Sequence, residues 1–213
     1  MSTALGVIDE AGVHGLSLRG LARSIGVSAP AIYAHFPNVD AILLAVARQL
    51  FADLAARLSA AAGEAPDPPA RLRAVCQAYL DHAEDHPGRY LVMFGGQWDV
   101  TAAVEQGAVD GHATHDLGHD VTAVFVHAVR DPDDPGTAPD EADVTAAVAT
   151  WLVLHGYAHQ RLVARAFRWP LGTTEAVLDR ATAPRRLPPP QDPQRHRPPP
   201  GPHLVPKGIE DAP

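Results

Sequence analysis

The sequence contains a single cysteine, Cys76, among its 213 residues. One thiol excludes an internal disulfide and cannot form a metal cluster by itself, so we expect Cys76 to be buried or to have no chemical role. No apolar run approaches the roughly 20 residues that a membrane-spanning helix needs. The N-terminus also lacks the charged and apolar regions of a signal peptide. We therefore expect a cytoplasmic protein with no membrane partner.

Positive charge is scarce, and the formal net charge is −8. DNA binding depends on the local field at the contact surface rather than on the total charge. The basic residues of the first 50 positions are balanced by an equal number of acids: Arg19, Arg23 and Arg48 against Asp9, Glu10 and Asp40. For a DNA-binding protein, this balance predicts modest non-specific affinity.

Motifs of common enzyme classes are lacking too: there is no nucleophile elbow, glycine-rich phosphate loop, HExxH pair or Cys-His arrangement. We expect neither an enzyme nor a cofactor. Histidine is frequent, and two pairs, His115 with His119 and His155 with His159, have the i, i+4 spacing that can hold a metal on one helix face. Nothing in the sequence supplies a third ligand, so no metal site is predicted.

Residues 17–36 have the pattern of two short helices joined by a tight turn. Ser17 and Ser28 are placed to cap the helices, Gly26 ends the first one, and Pro30 lies in the first turn of the second. The residues expected to face the core are Leu18, Leu21, Ala22, Ile25, Val27, Ile32 and Phe36. The spacing matches a helix-turn-helix, whose second helix enters the DNA major groove, but an ordinary helical hairpin has the same spacing.

Three segments within this region, residues 15–22, 26–28 and 31–38, resemble the N-terminal domain of the TetR (tetracycline-repressor-like) family of bacterial regulators. The resemblance covers about residues 4–47. It implies an all-α protein with a three-helix head over 1–47, a connector helix and a helical ligand-binding and dimerisation body over 48–182. Asn38 would cap the connector helix, whose apolar residues are Ile42, Leu43, Val46, Leu50, Leu54 and Leu58.

The resemblance implies a double-stranded DNA operator as a partner. The residues expected to hold phosphates are Ser17, Arg19, Tyr33 and His35, and those expected to face base edges are Ser28, Ala29, Pro30 and Ala31. Such small groups can contact thymine methyls but offer little bidentate readout. Two departures weaken the expectation: Met1 lies inside the family's first helix, and Val39 stands where a phosphate-binding lysine is common.

The remainder of the chain is predicted to form helical segments separated by clear breaks. Small residues and prolines over 59–70 predict a loop, after which a helix starts at Asp67 or the prolines and runs to about residue 85. The later segments are a break at 86–88, a short apolar run over 90–94, a corner at Gly95, Gly96 and Trp98, helices over 101–109, 113–129 and 142–167, and a loop over 131–140.

A second resemblance lies within the last of these helices. Residues 151–157 are similar to the Trp-x-x-x-His-Gly signature of one C-terminal subclass of TetR-like regulators, the WHG domain, which would cover residues 70–182. It implies a homodimer formed by residues 113–130 and 141–168. Gly156 costs about 1 kcal/mol against alanine within a helix and is easiest to justify where another helix or a ligand approaches. A dimer would place two recognition helices on a pseudo-palindromic operator.

Aromatic and apolar residues of the body are candidates for the wall of an effector pocket, although each could equally be filling the core. The set is Tyr79, Tyr90, Met93, Phe94, Trp98, Phe125 and Trp151, with His155 of the signature, which is also expected to be a hydrogen-bonded core residue. This lining favours a small apolar or aromatic effector.

Beyond residue 182 the composition changes, and 11 of the last 30 residues are proline. Residues 183–213 are expected to be disordered or polyproline-like, either as a solvated extension or as a flexible basic arm. Taken together, the residues and the resemblance predict a ligand-responsive transcriptional regulator, and family analogy implies that it acts as a repressor. The alternative is a ligand-binding helical dimer with weakened or lost DNA binding.

Overall fold

Six of the ten α-helices in the described residues begin at a capping side chain: Ser17, Ser28, Asn38, Asp67, Asp99 and Asp140. The computed structural model describes residues 1–95, 98–130 and 138–183, and no strand occurs within them. The predicted all-α fold is therefore confirmed. The helices are α1 (Ser2–Ala11), α2 (Leu18–Ser24), α3 (Ala29–His35), α4 (Val39–Glu64), α5 (Pro68–Asp85), α6 (Pro87–Phe94), α7 (Val100–Glu105), α8 (His119–Val129), α9 (Glu141–Val163) and α10 (Thr173–Ala181).

Helices α1, α2 and α3 form the head. The Ser17 hydroxyl accepts a hydrogen bond from the Gly20 N–H at 3.1 Å, and the Ser28 hydroxyl accepts one from the Ala31 N–H at 3.4 Å. These are the two predicted caps, and each satisfies a donor that has no partner inside its helix. The buried residues of the head are Ala4, Ile8, Val13, Leu16, Leu18, Leu21, Ala22 and Ile32.

Two residues of the turn were wrongly placed in the core. Ile25 is 51% exposed and Val27 is 43% exposed. The reason is the way α2 ends: Gly26 adopts φ 73°, and the Val27 N–H donates to the Ala22 carbonyl at 2.9 Å. This Schellman-type ending turns the chain away from the buried face immediately after Ser24.

The connector helix α4 is longer than expected, so the predicted loop over 59–70 is wrong. Asn38 caps it, accepting from the Ala41 N–H at 2.7 Å. The helix continues to Glu64 because residues 59–64 are rich in alanine, the strongest helix former. The actual break is at Pro66, and Asp67 then caps α5.

In the middle of the body the break predicted at 86–88 is a sharp corner at His86, between α5 and α6. The apolar run over 90–94 forms most of α6. Helix α7 ends at Glu105 rather than near 109, because Gly107 turns the chain with φ 69°. The predicted corner after α6 includes Gly96, which lies outside the described residues.

Two further helix boundaries differ from the prediction. Helix α8 begins at His119 rather than 113, because Gly118 precedes it in the left-handed conformation with φ 81°. His115 is therefore outside the helix and does not share a helix face with His119. Helix α9 ends at Val163 rather than 167, and α10 was not predicted. Of the predicted loop, residues 131–137 lie outside the described part of the chain, as do tail residues 184–213.

The long helices pack around α4, which contacts α5 and α8, while α9 packs against α8 and α5. Leu54, Leu58, Phe125 and Leu154 are among the fully buried side chains at the centre of this core. No helix in the described ranges has both the length and the apolar character that crossing a membrane would require.

Candidate DNA-binding and effector-binding sites

Helix α3 presents the predicted base-facing surface to solvent. Ser28, Pro30 and Ala31 are exposed, and Ala29 is half-buried. On the same helix, Tyr33 is 45% exposed, whereas Ile32 is buried against the head core. The small side chains at the N-terminal end of α3 leave its backbone accessible to a partner surface.

The residues predicted to contact phosphates are also exposed: Ser17, Arg19, Tyr33 and His35. Ser17 uses its hydroxyl oxygen for the α2 cap, so toward a phosphate it can act only as a donor. Val39 is partly buried against the core and supplies no donor where a family lysine is common. The assignment of all eight DNA-binding residues stays a prediction.

The charge balance of the head differs from the simple count in the sequence. The Asp9 carboxylate accepts two hydrogen bonds from Arg89, from Nε at 2.9 Å and from Nη2 at 2.6 Å. Asp40 accepts from the Trp98 indole N–H at 3.0 Å. Arg89 thus offsets the charge of Asp9, whereas the neutral indole leaves Asp40 charged, and Arg19 and Arg23 are exposed. Because one acid is paired, the local potential of the head is somewhat more favourable than the equal count of charges suggests.

These contacts also join the head to the body through α6. The hydrogen bond that Asp9 accepts from Arg89 is the main reason that the pKa of Asp9 lies below the usual 3.8. At the adjacent Gly88, a Cβ would lie 3.3 Å from the carbonyl oxygen of Ile8, so α6 approaches the α1 backbone closely. On the other side of the head, the Asn38 side-chain amide donates to the Ala108 carbonyl at 2.8 Å.

A cavity of about 300 Å³ lies between α4, α6, α8 and α9. Three of the predicted effector-site residues, Phe94, Phe125 and Trp151, line it. The lining residues that the sequence analysis missed are Phe51, Leu117, Gly118, Val121, Thr122, Ala147 and Val148. Phe51 was missed because it belongs to the connector helix, and Leu117 with Gly118 because they were assigned to a helix rather than to the turn before α8.

Two other predicted residues, Met93 and Trp98, lie beside a neighbouring pocket of about 380 Å³ that shares Phe51, Phe94 and Leu117 with the cavity. Phe94 therefore stands between the two spaces. Its ring packs edge-on against Phe51, with 5.4 Å between centroids and an interplanar angle of 84°. Such contacts are favourable for aromatic pairs and hold the wall in place.

The last three predicted residues, Tyr79, Tyr90 and His155, form a hydrogen-bonded network behind the cavity wall. The Tyr90 hydroxyl lies 2.8 Å from His155 Nδ1, and the Tyr79 hydroxyl lies 3.2 Å from the same nitrogen and 3.3 Å from the Tyr90 hydroxyl. The Trp151 indole N–H donates to the Tyr79 hydroxyl at 3.1 Å. His155 was expected to be a hydrogen-bonded core residue, and its contacts agree with that expectation.

Burial keeps this network uncharged. Desolvation lowers the pKa of His155, with a further contribution from nearby His159, and raises the pKa of Tyr90 to about 12. Burial likewise raises the pKa of Tyr79 far above its usual range. We therefore assign a neutral imidazole whose Nδ1 accepts from Tyr90, while Tyr79 accepts from Trp151 and donates its single proton to the Tyr90 hydroxyl.

His155 and His159 lie one turn apart on α9, with their rings stacked at 5.8 Å between centroids. Within the described ranges, no group of three His, Cys, Asp or Glu side chains is placed to hold a metal ion. The arrangement is that of packed aromatic rings.

Comparison with known proteins decides the family. The model for the tetracyclin repressor-like C-terminal domain matches residues 72–184, and the model for bacterial regulatory proteins of the tetR family matches residues 1–46. The chain belongs to the TetR family. It is thus a transcriptional regulator of a class that binds operator DNA and dimerises, and that class is non-enzymatic. The narrower WHG assignment stays a prediction.

Two curated TetR proteins match about a quarter of this chain. The class A tetracycline repressor from transposon 1721 of Escherichia coli is 46% identical over 50 residues, which cover 24% of this chain and 23% of that protein. The class C repressor of the same organism is 44% identical over 48 residues, covering 22% of each. The chain therefore matches about a quarter of the length of these relatives.

Solved structures extend the likeness over the body. A Rhodococcus sp. RHA1 protein of unknown function has a TM-score of 0.65 and 28% identity, and the match covers 85% of this chain and 88% of that one. The TetR-family regulator PfmR from Thermus thermophilus has a TM-score of 0.51 and 21% identity, covering 84% of this chain and 92% of that one. At that identity the second likeness shows the fold alone.

Proposed function

We propose that this TetR-family regulator is a repressor that binds a pseudo-palindromic operator as a homodimer and releases it when a small apolar or aromatic effector enters the cavity. The observation that carries the proposal is the position of α6. One end of this helix holds Asp9 of the head through Arg89, and the other end places Phe94 in the cavity wall. A ligand that displaces Phe94 would therefore move α6, the same short helix whose Arg89 pairs with Asp9 of the head.

This coupling requires the effector to prefer one arrangement of the heads over another, since a ligand shifts an equilibrium only by its difference in affinity for the two states. The hydrogen bonds between Trp98 and Asp40 and between Asn38 and Ala108 join the start of α4 to the body. They are the bonds whose geometry would differ between the operator-binding and the released states.

An exposed apolar stripe on α9 supports the homodimer. Val148 is 38% exposed, Leu152 54% and Val153 39%, although they belong to a long helix of the body. A Cβ added to Gly156 would meet nothing within 4 Å, so the space next to this glycine is open in the single chain. An apolar helix face with a glycine permits the close approach of a second helix, which is the role proposed for residues 141–168 together with 113–130.

Operator binding with effector release tests the proposal. Fluorescence anisotropy of duplexes from the DNA flanking the gene should show binding that an apolar aromatic compound reverses. Phe94→Ala is the informative variant: it should bind the operator but need more compound for release, because the contact between ligand and α6 is lost. Release of the variant at the same compound concentration as the wild type would contradict the role of α6.

The second candidate is a ligand-binding dimer with weakened DNA binding. The observation that favours it is Val39, which is partly buried and supplies no phosphate contact next to α3. Val39→Lys separates the two candidates. A repressor should gain only modestly in operator affinity from the new phosphate contact, whereas a head with lost DNA binding should acquire measurable binding only in the variant.

A further inference from the structure

The polar side chains around the cavity have their hydrogen-bonding groups turned toward the protein. Of the ten lining residues, only Thr122 and Trp151 carry a polar side-chain group. The Thr122 hydroxyl donates to the Gly118 carbonyl at 3.1 Å, and the Trp151 indole N–H donates to the Tyr79 hydroxyl at 3.1 Å. Trp151 therefore presents an aromatic ring to the cavity, and Thr122 retains only the acceptor lone pairs of its hydroxyl oxygen.

The network behind Trp151 is closed as well. Tyr79 and Tyr90 are 1% and 0% exposed, and both hydroxyls are within hydrogen-bond distance of His155 Nδ1. A ligand hydroxyl or amide N–H would therefore have the Thr122 hydroxyl oxygen as its one side-chain acceptor in the wall, and a ligand carboxylate would have no side-chain donor there. Burying a polar group without such a partner is unfavourable.

The size and shape of the space complete the description of the ligand. An apolar cavity of about 150 Å³ accommodates benzene, and the cavity here has about twice that volume, about 300 Å³. Rings form much of its wall: Phe94 lies 6.1 Å from Trp151 between centroids, and Phe51 meets Phe94 edge-on. Flat aromatic ligands pack well against such tilted and edge-on rings.

We propose that the effector is an uncharged aromatic hydrocarbon of two fused rings or similar size, recognised by shape and apolar contact without a hydrogen bond. This inference names the ligand class of the proposed function and rests on it. Because the cavity can be tested without DNA, the ligand class and the regulatory role can fail separately.

The experiment measures binding of naphthalene to the full chain by calorimetry and by intrinsic tryptophan fluorescence, against benzene, 2-naphthol and 2-naphthoate. Naphthalene should bind saturably, benzene about ten- to a hundredfold more weakly because it buries less apolar surface, and 2-naphthoate not measurably. 2-Naphthol should bind no more tightly than naphthalene. Tighter binding of 2-naphthol or 2-naphthoate, or no saturable binding of naphthalene, would overturn the proposal.

Two variants locate the site. Ala147→Leu places extra volume into the cavity and should reduce naphthalene affinity at least tenfold. Thr122→Val keeps the shape and removes a hydroxyl that already has a backbone partner, so its affinity should stay within about threefold of the wild type. Unchanged binding in Ala147→Leu, with folding verified by circular dichroism, would overturn the placement. Naphthalene binding without release of the operator would contradict the proposed function and leave the ligand class standing.

Discussion

Replacing Tyr79 by phenylalanine tests the hydrogen-bonded network behind the cavity. The Tyr79 hydroxyl is buried and lies within 3.3 Å of three partners: Trp151 Nε1, the Tyr90 hydroxyl and His155 Nδ1. Its removal leaves the Trp151 N–H without its acceptor. Because an unsatisfied buried donor costs about 1–3 kcal/mol, Tyr79→Phe should lower the free energy of unfolding by about 2 kcal/mol.

Tyr90→Phe is the matched control, since it removes one buried hydroxyl from the same network. His155 Nδ1 then still has the Tyr79 hydroxyl at 3.2 Å as a donor, and the Trp151 bond is untouched. No buried group loses its last partner, so the expected cost is about 1 kcal/mol. The assay is urea unfolding of each full chain at equal concentration, followed by far-ultraviolet circular dichroism.

The order of the unfolding free energies of the two variants tests whether Tyr79 is the acceptor for the Trp151 N–H. If Tyr79→Phe is as stable as the wild type, or more stable than Tyr90→Phe, then the Trp151 N–H does not depend on Tyr79 as its acceptor. The assignment of a closed network would be wrong in that case, and the cavity wall would have a polar group available to a ligand.

Two further predictions concern the head contact and the dimer. Asp9→Asn breaks the partly exposed pair with Arg89 and should lower the unfolding free energy at pH 7 by about 1 kcal/mol or less. The pKa of Asp9 lies below 3.8 in the folded protein, so the ion pair stabilises the fold above pH 3.8 and is lost as the pH falls through the lowered pKa. The difference in unfolding free energy between variant and wild type, measured in urea, should therefore vanish at low pH. A difference that grows as the pH falls would contradict the pairing. Leu152→Glu places a charge on the exposed stripe of α9, so light scattering should show a monomer. The control Leu171→Glu changes a fully exposed residue outside the proposed interface, and this variant should remain a dimer. Equal masses for the two variants would refute the interface.

Local features of the fold were predictable because their causes are local in the sequence. Ser17, Ser28, Asn38 and Asp67 each cap a helix in the structure, since a capping side chain acts on a backbone N–H only three residues away. The two helices of residues 17–36 followed from such signals and from helical spacing of apolar residues, and the three-helix head and the connector followed from the family resemblance. The family resemblance, resting on the same segments, is confirmed.

Features that depend on competition between signals were less predictable. The alanine-rich stretch before Pro66 looked like a loop because of its small residues, but helix propensity extends α4 through it. Gly118 was hidden within a helical apolar pattern, and its left-handed conformation delays the start of α8. In the turn, the ending of α2 exposes Ile25 and Val27 despite their apolar character.

The candidate effector site was predictable only in part, because a cavity is a product of packing between distant segments. Phe94, Phe125 and Trp151 were among the candidates, but Phe51 comes from the connector helix, where only the residues of the apolar stripe were considered and none as a pocket wall. The sequence could not show that Tyr79, Tyr90 and His155 would satisfy one another, since they come from three different helices. That mutual satisfaction makes the cavity wall apolar.

The most direct test of the account is the anisotropy of this chain on duplexes from the DNA flanking its gene, titrated with salt, with an unrelated duplex as the control. An operator-binding dimer should show sequence-selective binding, and the logarithm of its association constant should fall linearly with the logarithm of the salt concentration. Arg19→Ala should reduce that slope by about two, because the dimer loses one phosphate contact in each of its two heads. Binding no better than to the unrelated duplex, with no effect of Arg19→Ala, would contradict operator binding by this chain.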